Sequence, residues 1–178
     1  MPRRFHDGEE LLPPATLTKR ALSIIYDGLI SIAVLLVTSW GYTMAAGAVT
    51  GWDEYQRKAE AGELGGSPGL TFVLFLVLYL FFAYFWTRIG QTLGMQVWRV
   101  RIENLNGTSV SWTQALLRYV TAAAVVFLTL LGGYYLGAVT LLISVPAIFA
   151  LFTPINGLSV TDRVSNSVVV QVPKPEKK

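Results

Sequence analysis

A chain of 178 residues, 53% hydrophobic and only 14% charged, does not compose an ordinary soluble domain, where about a quarter of residues carry charge. The absence of cysteine excludes disulfides, thiolate nucleophiles and sulfur-ligated metals, and the single histidine, His6, sits in a polar tail where solvation is expected. The formal charge of +3 lies along the flanks of apolar blocks and builds no basic face with aromatic platforms, so nucleic acid is not an expected partner.

Residues 1–16 read as a polar tail that Pro13-Pro14 closes. The apolar run Ala21 to Ala46 exceeds the about 20 residues a spanning helix needs, and it predicts a first span over 17–46. A signal peptide competes, because Ala46-Gly47-Ala48 resembles a cleavage site. Against it, the run outlasts a signal core of about 7–15 residues and contains Asp27. An aspartate at the bilayer centre costs about 2.5–3.5 kcal/mol, so something must offset it. Arg20 stands seven residues earlier on the same helix face, about 10.5 Å along the axis, which predicts a snorkelling Arg20 reaching down toward Asp27. Ser23, Ser31, Val34, Thr38, Gly41 and Ala45 continue that face at spacings of three or four. Small and hydroxylated residues let helices pack closely in lipid, so a packing seam is a plainer reading than a conduction path.

The segment 47–67 is acidic: Asp53, Glu54, Glu60 and Glu63 outnumber Arg57 and Lys58. The other 12 of the 14 basic residues lie in the first 20 residues, in the Arg88–Arg118 connection and from Arg163 onward. Basic loops stay cytoplasmic, which places both termini and that connection inside. Ser67-Pro68 opens a second span over 68–88, so rich in aromatics that lipid contact is expected on most faces. Gly90-Gln91-Thr92-Leu93-Gly94 ends it. Alternation from Val97 to Glu103, the Asn106-Gly107 turn signal and Ser109-Val110-Ser111 predict a β-hairpin, with Val168–Val172 as a third strand. Arg99 and Arg101 then anchor the hairpin to anionic lipid.

Ser111-Trp112-Thr113-Gln114 fits a capping box and opens a third span over 112–131, with Arg118 expected to snorkel to the inner interface. Gly132-Gly133 and Gly137 punctuate an outer turn before a fourth span over 136–152, which carries Pro146 at mid-length. A single bent or re-entrant unit is the alternative for the last two. The expected fold is an all-α membrane protein: four transmembrane helices, a small cytoplasmic β-hairpin between the second and third, one membrane domain over 17–172 and a cytoplasmic tail over 173–178.

These segments together resemble the RDD family of bacterial membrane proteins, named for one arginine and two aspartates. Lys19-Arg20 through Tyr26-Asp27 resembles its opening motif. Gly90 to Gly94, the basic strand and Asn106-Gly107 up to Arg118 resemble its cytoplasmic connection, and Asp162-Arg163 followed by Ser167 to Val170 its closing motif. The resemblance makes Arg20, Asp27 and Asp162 the eponymous residues. Met95 departs from a position that is often basic, as do Leu158-Ser159-Val160 and Asn166-Ser167 from the family's closing pattern. Transport, cation/proton exchange included, is what the resemblance implies.

Two functions follow as expectations. One is a small inner-membrane transporter or exchanger using the buried carboxylate of Asp27, since an intramembrane acid is a functional-site hypothesis by default. Four spans without an internal repeat are few for alternating access, so a homo-oligomer would be needed. The other is a structural or regulatory module supporting a partner complex, in which Arg20, Asp27 and Asp162, with Ser23, Ser31, Arg118 and Arg163 in support, fix helix packing. No nucleophile elbow, zincin, P-loop or dinucleotide fingerprint occurs, so neither an enzyme nor a cofactor or metal is expected.

Overall fold

A computed structural model describes residues 3–6, 12–64, 67–137, 153 and 158–174. In chain order these contain α1 (Leu17–Thr50), α2 (Trp52–Glu60), α3 (Pro68–Arg88), α4 (Leu93–Trp98), β1 (Val100–Glu103), α5 (Trp112–Leu136), α6 (Val160–Val164) and β2 (Val168–Gln171). Helices α1, α3 and α5 are long and apolar enough to cross a membrane. Apart from its first two residues, the fourth expected span, 136–152, lies outside the described residues.

The long helices begin where the sequence places them, and two run past their expected ends. α1 continues from Ala46 to Thr50, and Gly47 in that extension leaves room for the Trp52 ring, which a Cβ there would meet at 2.7 Å. α5 passes through Gly132-Gly133 and stops only at Gly137, whose φ of 66° and bond to the Gly133 carbonyl close the helix. The capping box at its start is present as expected, Ser111 and Gln114 each satisfying the other's backbone N–H.

Two compact units make up the chain: Gly28–Phe81, and Met1–Asp27 with Phe82–Lys178. In the first, α2 folds back along the end of α1, where the Tyr55 hydroxyl reaches Thr43 Oγ1 at 3.4 Å. The Tyr42 hydroxyl fills the space beside Gly69 of α3. The small-residue face of α1 opens up along this unit, with Ser31, Val34 and Thr38 half-buried and Gly41 and Ala45 exposed.

The second unit carries the sheet, in which the expected carboxyl strand is present but the return arm of the expected hairpin is not. β1 pairs antiparallel with β2, Val100 opposite Gln171 and Glu103 opposite Val168. The Asn104–Thr108 turn does close, through Asn104 N–H to the Thr108 carbonyl at 2.9 Å. Its return arm cannot extend as a strand because Ser111, three residues on, must cap α5. Ser109 instead donates its N–H to the Arg3 carbonyl at 2.7 Å. Both sheet edges are covered, as isolated edges invite mispairing. Pro13 and Ala15 bond Gln171 and Val169 on one side, and Gly90 and the Gln91 side chain bond Ile102 and Val100 on the other. Val97 and Trp98, expected in a strand, complete α4 instead, which Thr92 caps, and the chain turns into β1 at Arg99. Ala15, Met95, Val100, Ile102, Val110 and Val169 form the core beneath, with Trp86 and Trp98 against it.

Candidate functional site

Below that core, one acid gathers residues from three separate elements. Asp162 is fully buried on α6, a five-residue helix whose capping box ties it to Ser159: Ser159 N–H donates to Oδ2 at 3.0 Å, and Ser159 Oγ accepts from the Asp162 N–H. Arg20 of α1 donates from Nη1 to the same Oδ2 at 2.8 Å. Arg118 of α5 places Nη2 2.8 Å from Oδ1. Both guanidiniums are buried as well.

Further polar contacts surround both guanidiniums. Arg20 Nε donates to the Ala15 carbonyl and Nη2 to the Val169 carbonyl, each at 3.1 Å. Arg118 Nη1 donates to Ser167 Oγ at 2.6 Å and Ser165 Oγ at 3.2 Å, and its guanidinium stands 6.0 Å from the Trp86 ring centre. Two guanidiniums against one carboxylate leave a net charge of +1, which these carbonyls and hydroxyls disperse. Burial pushes the Asp162 carboxyl up, but Arg118 and Arg20 outweigh it and hold the group below the usual carboxylate range.

Asp27 belongs to a second cluster on α1. Thr92 Oγ1 donates to its Oδ2, and the Gly94 N–H donates to Oδ1 at 2.9 Å. The same threonine hydroxyl accepts from the Met95 N–H at 3.3 Å, so Asp27 clamps the start of α4 through its cap. Gly94 has to be glycine: a Cβ there would meet the Ser23 carbonyl oxygen at 2.5 Å and Asp27 Cγ at 2.8 Å.

The expected pairing of Arg20 with Asp27 is therefore replaced by pairing with Asp162, 142 residues away. Each Arg20 nitrogen turns to the segment 158–171 or to Ala15, where carbonyls and a carboxylate converge. Arg118, expected to snorkel, turns inward for the same reason. Ser23 bonds back to the Arg20 carbonyl at 2.8 Å, Ser31 is half-buried further along α1, and Arg163 is exposed on α6. His6, expected in solvent, is half-buried and lies 2.9 Å from Glu103 Oε1, and Glu103 also pairs with Arg101. Thr92 and Gly94 were expected only to break a helix, and Ser159, Ser165 and Ser167 had no expected part in a site. Ser159-Val160-Thr161-Asp162 did carry a signal, a serine followed three residues later by an acid.

The family model for the RDD family matches residues 14–166. This chain belongs to the RDD family. The match takes in Arg20, Asp27, Thr92, Gly94, Arg118 and Asp162, so both clusters lie inside the RDD region, while Ser167 and β2 lie just beyond it. No curated protein and no solved structure matches this RDD chain. Met95 is buried in the core, and Ser159 supplies the α6 cap.

Proposed function

We propose that this RDD protein is a non-catalytic membrane module whose charged residues fix one end of its helices, so that a second copy or another membrane protein packs against a defined surface. One observation carries the reading: Arg20, Asp162 and Arg118, from three separate elements, are occupied by one another. Asp27 is likewise engaged, clamping α4 through Thr92 and Gly94. A buried ion pair is weak evidence for stability but well suited to specifying one arrangement.

The module sits in the bacterial inner membrane with both termini cytoplasmic. Support comes from the hydrogen bonds joining the amino tail, the 89–111 connection and β2, which fit a reading with all three on one side and an even number of crossings, four in this proposal. The basic residues of those segments mark that side as the inner one.

The test is reconstitution into proteoliposomes, with photo-crosslinking in native membranes beside it. The module reading expects no pH-dependent flux of monovalent cations from wild type and a crosslinked partner of defined mass. Flux in wild type that a folded Asp27→Asn variant loses would replace it with the exchanger.

A further inference from the structure

Between the end of α3 and the start of β1 the chain shows water an unusual face. Ile89, Leu93 and Val97 are 37%, 42% and 59% exposed, and Leu93 and Val97, one turn apart, share a face of α4. The opposite side of that helix, Gly94 and Met95, is buried in the core and the Asp27 clamp. This apolar face begins one residue after α3, within an apolar stretch long enough to cross a membrane.

Cations bracket it. Arg88 ends α3 and Arg99 follows α4, and among the described residues neither side chain has a partner. Arg101 differs: Glu103 holds its guanidinium at 2.7 Å and Phe5 stands beneath it, which removes it from the pair first expected to anchor lipid. The exposed side chains from Ile89 to Arg99 include no acid.

Arg99 also stands where an arginine is costly. Its φ of 54° and ψ of 43° form the left-handed cap of α4, a conformation that glycine adopts without steric penalty. Backbone strain at a non-glycine residue points to a function that the side chain supplies.

We propose that α4 is a membrane-surface anchor for anionic lipid: Ile89, Leu93 and Val97 enter the headgroup boundary, and Arg88 and Arg99, one at each end of that face, bind lipid phosphates. An apolar stripe flanked by cations is the pattern of helices that lie in that boundary, and guanidinium matches phosphate in shape and charge. The site is independent of whether the protein carries ions.

The experiment uses the full chain purified in mild detergent, with native mass spectrometry counting retained phosphatidylglycerol against phosphatidylcholine, and thermal unfolding measured without added lipid. Wild type retains phosphatidylglycerol preferentially. Arg88→Gln and Arg99→Gly each weaken that retention about five-fold, and Arg99→Lys keeps most of it. Arg99→Gly also melts about 2–4 °C higher without lipid, because the strained cap is relieved. Equal retention of the two lipids by wild type, or unchanged phosphatidylglycerol retention in both Arg88→Gln and Arg99→Gly, overturns the proposal. Arg99→Gly melting below wild type overturns its strain argument.

Discussion

Glu54 and Asp162 each face two cationic side chains, and the resemblance ends there. Glu54 lies on α2 with Arg57 and Lys58, three and four residues on, at 2.5 and 3.3 Å, all in water. Its carboxyl is held low by hydrogen bonds from Arg57 and then Lys58, yet solvent competes for every bond. Asp162 meets Arg20 and Arg118 out of solvent, from helices distant in sequence. The geometry of an ion pair therefore says little until burial and chain separation are known. The first set decorates a helix already formed, and the second decides which segments meet.

Removing the buried acid breaks this contrast most sharply. Asp162→Asn leaves two guanidiniums facing one another without a counter-charge, and about 3–5 kcal/mol of stability is lost, read as folded yield and melting temperature in detergent. Acid does the same more gradually. The folded-state carboxyl titrates below its unfolded value of about 3.9, so its contribution is complete above that pH and disappears as pH falls through the folded value. Wild type should therefore lose stability steeply below pH about 4, where Asp162→Asn has a correspondingly shallower loss.

Gly94→Ala comes next, since its Cβ has no room between the Ser23 carbonyl and Asp27, and overpacking of this kind costs about 1–3 kcal/mol. Asp27→Asn keeps the shape of the clamp but weakens two bonds to a charged acceptor, lowering stability by about 1–2 kcal/mol. Glu54→Gln should leave the melting temperature unchanged within error at physiological salt. A measurable drop there would show that exposure is a poor guide to the worth of these pairs.

Local patterns were legible, and of the distant partnerships only the joining of Val168–Val172 to the Val100–Glu103 strand was. The apolar runs marked α1, α3 and α5, and Ser111 and Gln114 marked the α5 start, because both signals are confined to a few turns of one helix. The face shared by Arg20, Ser23 and Asp27 was also legible, and all three are buried. The partner of Arg20 was not, because helical periodicity reports only residues on the same helix, and Asp162 is 142 positions away. The hairpin reading failed in part. Strand character was read correctly at Val100–Glu103 and at the carboxyl segment that pairs with it, but the return arm at 109–111 is not a strand because Ser111 is needed as a cap. The Thr92–Gly94 clamp was visible only as a helix break, since nothing in a glycine announces which side chain will occupy its missing Cβ.

The ion cluster also imposes a timetable on synthesis. At about 5–20 residues per second, a ribosome adds Asp162 about 7–30 s after Arg20, long after α1 has left the exit tunnel. Throughout that interval the first helix carries a guanidinium whose final counter-ion does not yet exist, and Arg118 joins it unpaired. Only the closing stretch of the chain ends this waiting state, so a nascent protein stalled before Asp162 exposes two cations to any membrane quality-control protease that recognises misplaced charge.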